Sequence, residues 1–290
     1  MNHNLLLFVI LIILVVGFIA YYIIDQNTTL EKKLKENLGK ETSKRELSVE
    51  GSLFRVLTRE SDIQINYETK TITYSNADFE LKPELMDLYH KIGFLNKTHN
   101  SVVVYPIFTE AAYNKNGFYD FYEGKCDSSC LTAKISTDFN GEYSSSRAAF
   151  NSLRLLGYHY ITDIDIDKDP EILKKYDSVI LLHNEYVTKK EFDAITQHPK
   201  VIYLYPNALY AEVVSDYDSN TITLIRGHGY PSPQIRNGFD WKFDNSNLEY
   251  DNMCTNWKFY EIDNGIMLNC YPEYVIFKDQ TLLLQIKNYS

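Results

Sequence analysis

The sequence predicts an α/β fold: a parallel central sheet flanked by helices, with β additions at both ends and one N-terminal transmembrane helix. Three observations carry this reading. Continuous apolar runs at Ser101–Tyr105, Ser178–Leu182 and Val201–Tyr205 have the composition of strands buried on both faces. Amphipathic helical patterns lie between them at the spacing of βαβ crossovers. In front, Leu5–Ile24 (LLLFVILIILVVGFIAYYII) runs 20 residues without a charge, enough to cross a bilayer as a helix.

The elements follow in order. The apolar run has no basic start and no small-residue cleavage site, so residues 1–24 read as an uncleaved anchor, with Tyr21 and Tyr22 suited to the membrane–water interface. Residues 25–47 are polar, and Leu30, Leu34 and Leu38 at i, i+4, i+8 make a juxtamembrane stalk. A small β/α extension spans 48–100: Ile63–Tyr67 and Thr71–Tyr74 alternate as a hairpin, and Pro83–Ile92 reads as a helix. The α/β domain, 101–290, opens with the Ser101–Tyr105 strand, stopped by Pro106. Ser144–Leu156 is an amphipathic helix with Ala149, Leu153 and Leu156 on one face and Gly157 as its stop. Tyr158–Thr162 is a strand, and Asp169-Pro170 caps and opens a short helix. Thr188-Lys189-Lys190-Glu191 is a capping box for a helix that His198-Pro199 closes. Ala211–Ser215 and Thr221–Ile225 flank a polar turn as a second hairpin, and a tail of short strands and loops follows.

Charge narrows the partners. A net charge of −10 with no basic patch argues against nucleic acid. For the membrane face two signals conflict. Lys32, Lys33, Lys35 and Lys40 all follow the span, which favours a cytoplasmic domain. The even set Cys126, Cys130, Cys254 and Cys270 favours disulfides and an oxidising compartment. The expectation is an extracytoplasmic domain. Cys126 and Cys130 have tolerable zinc spacing, but Cys254 and Cys270 lie 16 apart without a matching pair, so disulfides are expected over zinc.

The strand ending in His183-Asn184-Glu185-Tyr186 is the place to look for chemistry. Ligands in open α/β sheets sit at the carboxyl ends of strands. Residues two apart in an extended chain share a side, so His183 and Glu185 converge. No Gly-x-Ser-x-Gly or Gly-x-Cys-x-Gly elbow occurs, which argues against covalent nucleophilic catalysis. No phosphate-binding glycine loop occurs either; Arg226-Gly227-His228-Gly229-Tyr230 reads as a turn. What remains are oxygen and imidazole groups at strand ends.

Three pieces form an ordered set: T-x-x-A-Y-N-x-x-G over Thr109–Gly117, H-x-E-Y over His183–Tyr186, and Asn207 beyond the next strand. Together they resemble the C-terminal domain of the large (beta) subunit of N,N-dimethylformamidase, over about residues 101–255. The resemblance implies a class I glutamine-amidotransferase-like, flavodoxin-like sheet lacking the catalytic cysteine. It also implies a mononuclear ferric ion, Fe(III), held by two tyrosines and one glutamate. Tyr113 and Glu185 match two of these ligands. Tyr143 is the best match for the second tyrosine, with Tyr119 and Tyr122 competing. The catalytic histidine falls on His183, the asparagine on Asn207 and a distal acid on Glu249. Phenolate and carboxylate oxygens suit a hard trivalent ion. The expected activity is hydrolysis of a small amide-type C–N bond. The chain departs from the family in being shorter, without extra β domains, and in carrying an anchor. The alternative is a non-catalytic membrane-anchored binding or scaffold domain that retains the fold.

Overall fold

The computed structural model describes residues 43–66, 71–74, 76–136, 143 and 145–290. The expected membrane span at 5–24 and most of the expected stalk lie outside them. Among the described residues no helix is long and apolar enough to cross a membrane. The chain divides into two units, residues 1–46 with 57–75 and residues 47–56 with 76–290. In the first, Ile63–Asn66 and Thr71–Tyr74 pair antiparallel, the hairpin expected from their alternation.

The second unit is mixed α/β. Near its start Phe54 stacks on Tyr89 of α1 (Met86–Ile92), with Phe79 beside it. Strand β1 (Ser101–Tyr105) leads through Pro106 into α2 (Ile107–Tyr113), followed by α3 (Phe118–Tyr122) and β2 (Thr132–Lys134). Helix α4 (Arg147–Leu155) ends as its sequence predicts. Gly157 takes a φ of 90°, and the amides of Gly157 and Tyr158 cap the last carbonyls. Ala149, Leu153 and Leu156 are fully buried on its core face.

Strand β3 (His159–Thr162) runs directly into α5 (Asp163–Lys168), which the sequence reading did not anticipate. The run Asp-Ile-Asp-Ile-Asp alternates with a period of two, whereas its helix is set by a capping box between Thr162 and Asp165. The Pro170–Lys175 turn of 3-10 helix follows, but Asp169 makes no side-chain cap, so that part of the expectation fails. Strand β4 spans Ser178–Leu181, one residue shorter than read, and a three-residue β5 (Tyr186–Thr188) comes after the polar turn. The Thr188–Glu191 capping box is present and opens α6 (Lys189–Gln197), closed at His198. Strands β6 (Val201–Tyr203), β7 (Ala211–Asp216), β8 (Thr221–Arg226), β9 (Phe259–Ile262) and β10 (Gly265–Leu268) precede a second unanticipated helix, α7 (Gln280–Tyr289), capped by Asp279.

The larger sheet has the order β9-β10-β6-β4-β1-β3. Its pairings from β10 to β3 are all parallel, and β9 is an antiparallel edge. Every residue of β1, β4 and β6 is buried, which is why these strands are apolar runs rather than alternating ones. Val102, Val104, Val179, Leu181, Val201 and Tyr203 share one core with Ile166, Leu173 and Ile195 from the covering helices. A second sheet has the order β5-β7-β8-β2, with β7 and β8 forming the predicted hairpin. Cys126 pairs with Cys130 and Cys254 with Cys270, leaving no free thiol among the described residues and no cysteine for zinc.

Candidate active site

Strands β1, β4 and β6 are adjacent and parallel, so their carboxyl ends open onto one edge of the sheet. The first end supplies α2 with Thr109 and Tyr113, the second supplies His183–Glu185, and the third supplies Asn207. Beyond Leu181 the chain is not extended: the Asn184 amide bonds back to the Leu182 carbonyl. His183 and Glu185 nevertheless meet, with His183 Nε2 at 3.6 Å from Glu185 Oε2.

Glu185 is fully buried and its backbone is pinned from two sides. Thr109 Oγ1 accepts from the amides of Glu185 (2.9 Å) and Tyr186 (3.1 Å). The Glu185 carbonyl accepts from Tyr210 and Ala211, both at 2.9 Å. Beneath it, Asn184 donates through Nδ2 to Asp163 Oδ1 at 2.6 Å, and the second Asp163 oxygen accepts from the Phe108 amide. The threonine of the T-x-x-A-Y-N stretch thus fixes the chain at Glu185 and Tyr186. The glycine of that stretch has an equally local reason. A Cβ on Gly117 would lie 2.4 Å from the Ala112 carbonyl oxygen, so only glycine lets the chain turn from α2 into α3.

Around the carboxylate the oxygens are close. Tyr113 donates to Glu185 Oε2 at 2.8 Å, and the Tyr119 hydroxyl lies 2.6 Å from that of Tyr113 and 3.3 Å from Glu185 Oε1. Burial pushes the Glu185 carboxyl up to about 8; the Tyr113 and Tyr119 bonds pull it down and the charge of Glu249 pushes it further up. Burial first, then the Glu185 charge, raises both phenols well above the ordinary tyrosine range. Asn207, in a left-handed conformation (φ 65°), donates through Nδ2 to Glu249 Oε2. Its Oδ1 is buried without a hydrogen-bond partner among the described residues.

His183 sits in a cage of tyrosines. Tyr143 and Tyr205 stack near it, Tyr113 tilts against it and Tyr271 meets it edge-on at 5.7 Å. Burial in this cage pushes its imidazole down to about 3, so it is neutral over the physiological range. The Tyr143 hydroxyl lies 3.2 Å from His183 Nδ1, on the side of the ring away from Glu185.

The six residues expected from sequence therefore fall in two contact groups. Tyr113, Tyr143, His183 and Glu185 are joined through direct contacts, and Asn207 and Glu249 pair with each other. Tyr119, an alternative in the sequence, is in contact with both Tyr113 and Glu185. The sequence places His228 in a turn. The turn is there, but its imidazole Nε2 is 3.4 Å from the Tyr119 hydroxyl and 4.0 Å from Glu185 Oε1. A histidine between two glycines was the only signal available for it. Among the described residues no three His, Cys, Asp or Glu side chains gather as a metal site. The cluster at Glu185 is one carboxylate among phenols, with the His183 and His228 imidazoles beside it.

The chain is an α/β protein whose buried titratable groups gather at the carboxyl edge of a parallel sheet, the place where ligands of such sheets bind. The chain belongs to the N,N-dimethylformamidase beta subunit-like, C-terminal family, whose model matches residues 79–237. That stretch contains Tyr113, Tyr143, His183, Glu185, Asn207 and His228, and ends before Glu249. The family is one of hydrolases. No curated protein matches the chain.

Proposed function

We propose that this chain is a membrane-anchored hydrolase of a small amide-type C–N bond, dependent on a ferric ion. The observation that carries the reading is the convergence of Tyr113, Glu185 and His183 in a domain of this family. The donor set fits such an ion: a buried carboxylate and phenol oxygens within hydrogen-bond distance of one another are hard donors. Tyr113 and Glu185 would hold it with a second tyrosine. When bound, the ion would supply Lewis acidity toward a carbonyl oxygen and a water.

The remaining work falls to the chain's own groups. With the His183 Nδ1–H donating to the Tyr143 oxygen, its Nε2 lone pair is on the Glu185 side, placed to take a proton from the attacking water. The same nitrogen then returns the proton to the leaving amine. Tyr143 acts through His183 by fixing its ring and tautomer. Glu249 orients Asn207 by occupying its Nδ2, which leaves the buried Oδ1 as an acceptor for a substrate N–H. The parallel strands with ligand groups at their ends support a glutamine-amidotransferase-like, flavodoxin-like arrangement. The two disulfides support an extracytoplasmic domain.

The test is a panel of small linear amides given to the full chain in detergent after loading with ferric iron. The reading expects release of amine and carboxylate in equal amounts, lost in His183→Gln with iron retained. Iron-free protein that binds no added iron and cleaves nothing would favour a scaffold that keeps only the fold.

A further inference from the structure

The ferric reading leaves two questions that the geometry answers: which tyrosine is the second phenol donor, and whether the site holds a nitrogen donor. We infer that Tyr119, not Tyr143, is the second phenolate and that His228 is a fourth donor, so the ion-holding set of this chain is Tyr113, Tyr119, Glu185 and His228. The inference rests on the ferric reading above.

The two tyrosines differ in what they touch. Tyr119 reaches both of the other oxygen donors, at 2.6 Å from the Tyr113 hydroxyl and 3.3 Å from Glu185 Oε1. Three oxygens this close, two of them phenols, form a ready face for one hard cation. The Tyr143 hydroxyl is engaged with His183 Nδ1. Its ring lies parallel to the imidazole at an interplanar angle of 4°, and its amide donates to the Tyr105 hydroxyl at 3.0 Å. Tyr143 is thus built into the support of His183.

His228 is brought to the site by a second element, the loop that follows β8. Its backbone is left-handed (φ 54°), flanked by Gly227 (φ 115°) and Gly229 (φ 79°). A β-carbon at Gly227 would lie 2.9 Å from the Ala211 Cα, so the glycine lets this loop press against the start of β7. A histidine in that conformation is uncommon and is held here by bonds on both sides. The His228 amide donates to the Arg236 carbonyl and the Gly229 amide to the Ile235 carbonyl, both at 2.7 Å. The ring stacks on Tyr122 at 4.3 Å and stands edge-on to Tyr119 and Tyr210. These contacts fix Nε2 at 3.4 Å from the Tyr119 hydroxyl and 4.0 Å from Glu185 Oε1, whereas His183 approaches the other carboxylate oxygen. The side chain is 31% exposed, so an ion there is bordered by solvent on the His228 side and by protein on the His183 side. Three oxygens and one imidazole would hold the ion, which would supply Lewis acidity toward water and a substrate carbonyl.

The test uses the full chain in detergent, loaded with ferric iron. The readouts are iron stoichiometry, the tyrosinate-to-iron charge-transfer band, and nitrogen hyperfine coupling by pulsed EPR. Circular dichroism of the metal-free variants checks folding. Tyr119→Phe is expected to remove about half of the band intensity and to weaken iron binding at least tenfold, whereas Tyr143→Phe leaves the band intact. His228→Gln is expected to abolish the nitrogen coupling and lower iron affinity tenfold or more, with the coupling surviving in His183→Gln. The inference is overturned if Tyr143→Phe halves the band while Tyr119→Phe does not. It is also overturned if the nitrogen coupling persists in His228→Gln. Wild-type chain that takes up no iron overturns the ferric reading itself, and this donor set with it.

Discussion

Changing Glu185 to glutamine keeps the shape of the side chain and removes its ability to ionise, which makes it a direct probe of what the site costs the fold. In the metal-free protein the carboxyl is fully buried and its pKa rises from 4.5 to about 8, chiefly through burial. The folded state therefore holds a proton that the unfolded chain releases between these values. Stability from this group is fully present below about pH 4.5 and is lost as pH rises through about 8. At about 1.4 kcal/mol per pH unit the loss sums to roughly 5 kcal/mol across the window. Glu185→Gln has no such proton to lose. The difference between variant and wild type should grow in the variant's favour by about 4 kcal/mol between pH 5 and pH 8, on the order of 10 °C in midpoint for a unit of this size. Thermal and urea unfolding of metal-stripped full chain at pH 5, 6.5 and 8 measures it. Parallel pH profiles for the two proteins would refute a buried carboxyl whose burial outweighs the Tyr113 and Tyr119 hydrogen bonds.

Further expectations concern the support of the site. Thr109→Val keeps the volume but leaves the Glu185 and Tyr186 amides without their acceptor; it should cost about 2–4 kcal/mol of stability, with Thr109→Ser close to wild type. An undiminished unfolding midpoint in the valine variant would contradict the role assigned to that hydroxyl. Removing the Cys254–Cys270 bridge, which spans 16 residues, with paired alanines should lower stability by about 3 kcal/mol. Removing Cys126–Cys130, which spans four, should cost less, as denaturant titrations of the two double variants would show. Iron uptake at pH 7 should release between two and three protons, two from phenols held above their ordinary range and part of one from Glu185. Affinity should then fall steeply as pH is lowered, and titration in weak buffer with an indicator dye reads the release directly.

Much of this was legible in the residues. The three central strands announced themselves because both faces of each are covered, so their sequences are apolar throughout. The Thr188–Glu191 box and the Gly157 stop were legible because capping is local chemistry. His183, Glu185 and Asn207 could be singled out because each lies just past a strand, where ligands of open α/β sheets bind, and Tyr113 only because the T-x-x-A-Y-N stretch resembles the family. Helix α5 was not, since its alternating Asp and Ile residues carry a strand's period and only Thr162 and Asp165 give it away. Strand β5 is too short to have a pattern. Tyr119 stood only as a competitor to Tyr143, and His228 only as part of a turn, for a different reason. Each is ordinary in its own neighbourhood and acquires a partner only when α3 and the loop after β8 fold over the end of β4. Long-range closure of that kind leaves little trace in composition or spacing, apart from the paired glycines around His228.

The central claim is that this carboxyl edge holds one ferric ion through Tyr113 and Glu185. Elemental analysis of purified full chain, grown with ample iron, tests it most directly. The account predicts close to one iron per chain with a visible charge-transfer colour, both lost in Glu185→Ala and in Tyr113→Phe while the fold persists. A colourless wild-type protein without iron, or an iron content indifferent to those two substitutions, would contradict it.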